Sequence, residues 1–594
     1  MASEKDLLAQ QYYPVSSAPA IVWKPRRWLS LPRFLILGAV CTLITLAVFS
    51  GDIAEPGLPG LKPPPKEIYK CQPPLPSLLT YFPLTADDPE VRRALHRVDA
   101  LLSRYVRRDD MDALSVNVVQ GGNVLFAQGY GVQRANETTG KGKVNQDTVF
   151  RIASITKLFV TLQLLVLRDQ GLVNLDDDIK TFYPEFEIGK ALDSRQDDDD
   201  EDLHITLRTL AAQLSGLPRD MSTLGGGGGG GDSEEYIVLS KLKHERLVVP
   251  PYTFPIYSNT GFSLLGNALR RAVVLADPTR ANVTLDELLR EKVLAPLGMG
   301  MSGYQVEEEM RGNLAVPRNG SNQMAELDFG WNKPAGGMYS TARDLTKLLT
   351  TVLLTPHPIL LPRRTLREWL RPLSSLPDSR TEVGLTWEIT KLHPSYTLTG
   401  REPRLYSKSG NLPGYHSELT VRPDLGLGVV VLMTGDDSDA AVLVDRVLEV
   451  LEPVVERKWV EKVKKRYVGT YVGGEGNRFK VGIGAKDVLS VMELVVNGTD
   501  LLAIVGSKEV ALWSTGRLDE FRLAFGRDYL NTRPKIGCQP YWMSFDNMRV
   551  GDDNTEGAAF DRLVFEPTGK KDRKGREGVR AVYPAGGVTW ERMV

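Results

Sequence analysis

The tetrad Ser154-Ile155-Thr156-Lys157, at the head of a long apolar run, constrains this chain more than any other feature. The run Lys157-Leu158-Phe159-Val160-Thr161-Leu162-Gln163-Leu164-Leu165 predicts a helix. Residues three apart on a helix share a face, so the Lys157 amine reaches the Ser154 hydroxyl. A serine hydroxyl is a weak nucleophile until a base takes its proton. A lysine in an apolar pocket has a lowered pKa and can be that base. At a helix amino end, unpaired N–H groups and the helix dipole favour developing negative charge. Ser240-Lys241-Leu242-Lys243 has the same spacing, but in a basic stretch that reads as exposed. Two later motifs, in a fixed order, set Ser154 apart: Tyr257-Ser258-Asn259, then Lys408-Ser409-Gly410. Tyr529-Leu530-Asn531 also fits Tyr-x-Asn but comes after Lys408.

Ser-x-x-Lys, Tyr-x-Asn and Lys-Ser/Thr-Gly in that order resemble the signature of the penicillin-recognising serine enzymes. From about Pro89 to Pro453 the chain is similar to class C β-lactamases and D-alanyl-D-alanine peptidase-like esterases. Ile205–Arg208 through Ser215–Pro218, the stretch Pro334–Leu345 with Gly336-Gly337, and Lys408–Ser417 extend the likeness. Many esterase-like members carry His-Thr-Gly where this chain has Lys408-Ser409-Gly410. The resemblance implies an α+β fold: an antiparallel sheet flanked by helices, with a helical subdomain, over residues 88–458. It also assigns roles. Ser154 is the nucleophile, and Lys157 and Tyr257 are the candidate bases. A tyrosine with a pKa near 10 is a poor base unless cations lower it, and Lys157 and Lys408 are placed to do so. Asn259 would bond the Lys157 amine or a substrate amide. The Ser154 and Asn411 backbone N–H groups would form the oxyanion hole, and Lys408, in the Ser409-Gly410 strand, would attract a substrate carboxylate. His416 reads either as a pocket residue or as a packed strand residue.

Competing chemistries find little support. None of the six histidines makes a His-Glu-x-x-His or His-x-His spacing, so no metal is expected. There is no Gly-x-Ser-x-Gly nucleophile elbow. No cofactor is expected. A net charge of −1 argues against nucleic acid as a partner.

The amino terminus suggests export. Residues 34–51 form an uncharged apolar run, just long enough to cross a bilayer core. Lys24, Arg26, Arg27 and Arg33 precede it, and Asp52 and Glu55 come after it. That asymmetry predicts a cytosolic tail (1–33), a signal anchor (34–51) and a single-pass membrane protein with its bulk outside. The alternative is a cleaved signal peptide and secretion. Residues 52–87 are proline-rich and read as a stalk. Cys71 and Cys538 either pair in an oxidising compartment or stand as two free thiols. Sequons at Asn136, Asn282, Asn319 and Asn497 all fall on the expected outer side.

Asp88–Arg107 has apolar residues at helical spacing, and Ser115–Gln120 and Asn123–Gln133 read as a hairpin turning at Gly121-Gly122. An acidic run, 197–202, and seven glycines, 225–231, read as surface insertions. From residue 459 the pattern changes to short strands: Phe479–Ile483, Met492–Val496, Leu501–Val505, Val510–Ser514 and Phe521–Phe525. Such spacing predicts a small sandwich or barrel. Its opening, Tyr467-Val468-Gly469-Thr470-Tyr471, resembles the lipocalin-like accessory domain of some relatives. Together these features predict a serine hydrolase that acylates Ser154 with a small-molecule ester, amide or lactam, most simply an esterase. The alternatives are an acyltransferase of secondary metabolism and an inactive binding protein on the same scaffold.

Overall fold

The computed structural model describes residues 73–593, except 75, 108–109, 140–141, 190–203, 221–231, 437–438, 485–487, 526–548, 551–556 and 572–576. The expected tail, anchor and most of the stalk, the acidic run, the glycine run, Cys71 and Cys538 lie outside the described residues.

Helix α1, Pro89–Tyr105, begins where its sequence says it should. Asp88 caps it by accepting from the Glu90 and Val91 N–H groups at 2.9 and 3.3 Å, and Pro89 occupies the first turn, where no N–H is needed. Val91, Ala94, Leu95, Val98 and Leu102 form its buried stripe. Strands β1 (Met111–Gln120) and β2 (Asn123–Gly131) come next as a hairpin. Gly121 turns it at φ +57°, a conformation that favours glycine. Helices α2 (Thr156–Asp169) and α3 (Asn259–Ala276) lie beyond it in the chain. Later strands complete the sheet: β3 (Ser374–Ser375), β4 (Thr381–Val383), β5 (Glu388–Lys391), β6 (Arg404–Leu412), β7 (Tyr415–Arg422) and β8 (Leu427–Gly435). The order is β2-β1-β8-β7-β6-β5-β4-β3, with every pairing antiparallel.

Every residue of β1, β7 and β8 is buried, so this part of the sheet is covered on both faces. That explains the unbroken apolar run of β8. Its side chains still alternate: Val430 and Leu432 join one core with α2 and α3, while Val429, Val431 and Met433 join the other with α1. Helix α4, Ala440–Tyr467, packs on that second face. It is pinned by Arg422 of β7, 1% exposed, whose guanidinium meets Glu456 at 2.5 Å and Glu452 at 3.2 Å.

The change of pattern at residue 459 does not end an element. Helix α4 runs on to Tyr467, and the first strand of the carboxy-terminal part starts at Gly469. That part is an antiparallel barrel of eight strands: β9 (Gly469–Val472), β10 (Arg478–Ile483), β11 (Leu489–Val496), β12 (Val510–Ser514), β13 (Glu520–Ala524), β14 (Arg562–Lys571), β15 (Glu577–Tyr583) and β16 (Val588–Arg592). The order β10-β9-β16-β15-β14-β13-β12-β11 closes through β10–β11 pairing. Tyr467, Tyr471, Phe479, Phe521, Phe565 and Trp590 are buried against one another, with ring centroids 4.9–6.3 Å apart. Leu501–Val505, expected as a strand, is a helical turn, Leu501–Ile504. The Asp500 carboxylate accepts from the Leu502 and Ala503 N–H groups and caps it; a local cap overrides a short apolar run.

The membrane expectation is corrected. Among the described residues no helix is long and apolar enough to cross a membrane. The long ones have other work: α3 buries its apolar face in the core, and α4 carries a dozen charged side chains among its apolar ones. The single-pass placement, the signal anchor and the membrane as a partner are therefore not retained.

Removing one partner of a buried ion pair leaves an uncompensated charge, so Arg422→Ala should cost about 3–5 kcal/mol. Arg478→Ala, which breaks a largely exposed pair with Glu493, should cost under about 1 kcal/mol. Urea denaturation of the full chain checks both.

Candidate active site

The chain reaches Ser154 from a short ladder, Val149–Arg151 against Tyr339–Thr341. Ala153 takes φ +46°, rare for a residue with a side chain. The turn Ala153–Ile155 then feeds α2, and this bend puts Ser154 at the helix entrance. Thr156, between the two motif residues, braces the bend: its hydroxyl donates to the Ala153 carbonyl at 2.6 Å and accepts from the Met338 N–H at 3.1 Å. Strand β6 runs hard against the same turn. A Cβ on Gly410 would lie 2.3 Å from the Ile152 oxygen, 2.5 Å from Ser417 Oγ and 3.0 Å from the Ser154 nitrogen. The glycine of the third motif is there because nothing larger fits.

Lys157 is fully buried. Its Nζ donates to Ser154 Oγ at 3.1 Å, Asn259 Oδ1 at 2.7 Å and the Ala335 carbonyl at 2.5 Å. All three acceptors are neutral, and the group facing the amine that favours its charge is Tyr257. Burial, with Lys408 nearby, pulls its pKa down to about 8, although Tyr257 opposes this. Asn259 is the first residue of α3, and its amide donates onward to Asp220 at 2.8 Å. Ser258 caps α3: its hydroxyl accepts from the Gly261 N–H at 2.8 Å and donates to the Pro218 carbonyl at 2.7 Å. That fixes the chain carrying Tyr257 on one side and Asn259 on the other.

Tyr257 lies among cations. Lys157 Nζ, Lys408 Nζ and the Arg219 guanidinium are 4.9, 5.1 and 5.0 Å from its ring centroid. Burial alone would raise its pKa, but Lys157 and Lys408, together with a hydrogen bond from Ser154, bring it down to about 8. Lys408 is 1% exposed and paired with Glu388 at 2.5 Å. Burial disfavours its charge, and the Glu388 carboxylate together with Tyr257 more than offsets that, holding its pKa above the ordinary lysine value. Beside them, Glu418 on β7 is buried and pushed up to about 8, with Glu388 adding to the effect of burial.

The structure thus brings Ser154, Lys157, Tyr257, Asn259, Lys408 and Gly410 into one site. The Ser409 hydroxyl is turned to Glu388 at 3.2 Å. Asn411 is exposed at the end of β6, with its side-chain oxygen 2.8 Å from His416 Nδ1. The second Ser-x-x-Lys is structural: Ser240 donates to the Ile237 carbonyl at 2.8 Å, and Lys243 pairs with Glu187 on the surface. Tyr529 and Asn531 lie outside the described residues. Of the sequons, Asn282, Asn319 and Asn497 are exposed, and Asn136 is half-buried. Sequence reasoning passed over Glu388, Asp220, Arg219, Thr156 and the Ala335 carbonyl. Thr156 is at an unspecified position of the first motif and Ala335 in the stretch before Gly336-Gly337; no motif marks Glu388, Asp220 or Arg219, which only the fold brings to the site.

A model of the beta-lactamase family matches residues 98–452, a span that contains all of these groups. The chain belongs to the beta-lactamase family. Among its relatives in the family, the human beta-lactamase-like 1 protein is 33% identical over 379 residues, which cover 63% of this chain and 71% of that one. Beta-lactamase-like protein 4 of Dictyostelium discoideum is 29% identical over 401 residues, covering 66% and 68%. Among solved structures, a class C beta-lactamase superposes with a TM-score of 0.49 at 18% identity, covering 62% of this chain and 98% of that one.

Because a side chain at position 410 must push β6 away from the Ser154 turn, Gly410→Ala should slow the reaction of Ser154 with a fluorophosphonate roughly 100-fold. The far-ultraviolet circular dichroism should stay unchanged. Intact-mass labelling rates beside that spectrum check it.

Proposed function

We propose that this chain is a serine hydrolase that forms an acyl-enzyme at Ser154 on ester, amide or lactam substrates, with esters the preferred class. One observation carries the reading: a fully buried Lys157 amine, with its pKa lowered to about 8, 3.1 Å from the Ser154 hydroxyl.

In this reaction Ser154 Oγ attacks the acyl carbon, and its proton passes to the neutral Lys157 amine or the Tyr257 phenolate. Because the two groups titrate near the same pH and face one another, they act as a pair that holds one proton between them. The Ser154 N–H at the head of α2 and the Asn411 N–H at the end of β6 receive the oxyanion. As the bond to the leaving group breaks, the held proton goes to the departing oxygen or nitrogen. Water then attacks the ester on Ser154 and gives its proton to the same pair; Ser154 Oγ takes a proton back, and the acid leaves. No metal enters these steps. The barrel stays outside the chemistry and packages the chain, since its interior is taken up by aromatic side chains.

The purified full chain should take up one fluorophosphonate group, and Ser154→Ala none. Loss of one proton from the pair near pH 8 frees the base, so the labelling rate should rise with pH through about 8 and level off roughly a unit above it. Lys157→Arg, which cannot lose its proton, and Tyr257→Phe should each slow labelling by about 10²–10⁴-fold. A wild type that labels no faster than Ser154→Ala while folded would overturn the proposal. Products from an ester chased with water or with an added alcohol would tell hydrolysis from acyl transfer.

A further inference from the structure

We propose that Glu388 makes this site select acyl substrates without a negative charge, by neutralising Lys408 with a carboxylate that itself stands at the mouth. The inference rests on the hydrolase reading above. It reverses the role expected of Lys408, that of drawing in a substrate carboxylate.

The end of β6 that faces Ser154 is an open strand edge. Strand β5 begins at Glu388, which pairs with Ser407, so residues 408–412 have no β5 partner. The Glu388 side chain fills part of that gap. One carboxylate oxygen takes the Lys408 ammonium at 2.5 Å. The other accepts from the Ser409 N–H and from the Ser409 hydroxyl, both at 3.2 Å. The Lys408 ammonium also donates to the Ser409 carbonyl at 2.9 Å. Lys408 is 1% exposed, while the Glu388 side chain is 41% exposed. An incoming anion therefore meets the carboxylate before the ammonium, and the ammonium's charge is already matched at contact distance.

The other groups at the site point the same way. Arg219, the exposed cation over the Tyr257 ring, has Asp220 at 3.5 Å, and Asp220 also holds the Asn259 amide. Each of these two cations is matched by its own carboxylate. Glu418, the remaining carboxyl beside Lys408, is buried, and burial with Glu388 nearby disfavours its charge. Lys157 has no carboxylate in contact, but it is fully buried and shares its proton with the facing Tyr257. A substrate carboxylate would find both Lys408 and Arg219 already paired, and on the Lys408 side would approach the exposed Glu388 oxygens first. Building repulsion against one class of ligand is a common source of specificity.

The test is a matched pair of esters with one leaving group: p-nitrophenyl butyrate and the p-nitrophenyl monoester of succinic acid. The wild-type full chain should favour the neutral ester by about tenfold in kcat/KM beyond the intrinsic reactivity ratio in buffer. Glu388→Gln should raise the anionic ester relative to the neutral one by about the same factor, and Glu388→Asp should restore the wild-type ratio. A merely structural role for Glu388 would lower both esters together and leave their ratio alone. Salt gives a second readout on the wild type alone: screening should raise kcat/KM for the anionic ester and leave the neutral ester unchanged. The proposal is overturned by an unchanged ratio in an active Glu388→Gln enzyme, or by a wild type that favours the succinate ester. If neither ester reacts and Ser154 takes no fluorophosphonate, the hydrolase reading itself fails, and this inference falls with it.

Discussion

A primary amine held out of water is the constraint on which the rest of this site depends. Lys157 sits on the buried face of α2 with a serine hydroxyl, an amide oxygen and a backbone carbonyl around it, and with no carboxylate in contact. Desolvation of that kind is costly unless the proton can leave. The arrangement turns a stability problem into chemistry, because a lysine that readily gives up its charge can take a proton from its neighbour. Everything nearby keeps it so. Asn259 is oriented by Asp220, the Ala335 carbonyl is delivered by a neighbouring turn, and Ser154 is lifted to the helix entrance by the bend at Ala153.

The second requirement is a rigid wall. Strand β6 lies so close to the serine turn that position 410 admits only glycine, and Ser417 from β7 bonds the Ile152 carbonyl behind it at 2.9 Å. The wall is backed along Tyr406–Leu412 by pairing with β7, which is buried on both faces. Close packing transmits strain rather than absorbing it. The distance between nucleophile and strand is therefore set by the whole sheet and not by the site alone.

Much of this was legible in the sequence, and the parts that were not share a cause. Ser154 and Lys157 were readable because helical spacing alone brings them together. The α1 helix near Asp88 and the hairpin at Gly121-Gly122 were readable for the same local reason, although the cap by Asp88 was not read. Glu388 was not: it is twenty residues before Lys408 in the chain, on another strand, and only the β5–β6 register aligns them. Thr156 sat inside the motif but gave no sign that its hydroxyl, rather than its place in the helix, mattered. Leu501–Val505 misled because five mostly apolar residues suit a strand or a turn equally, and Asp500 decided it. The membrane reading failed to find a counterpart among the described helices, whose apolar faces are spent on the core.

Helix α4 determines where this chain can be divided. Composition shifts near residue 459, yet the helix passes through that point without a break and ends at Tyr467, whose ring lies 5.1 Å from Phe521 and 4.9 Å from Phe565 of the barrel. Its earlier turns supply Leu443, Val447 and Leu451 to the core beneath the sheet. One continuous rod thus has an end in each apolar interior, with Arg466 and Tyr467 both bonded to Asp519 at the far end. Two modules that look separable in composition share a single spine, and an evolutionary graft or a laboratory truncation at the compositional seam would strip side chains from both.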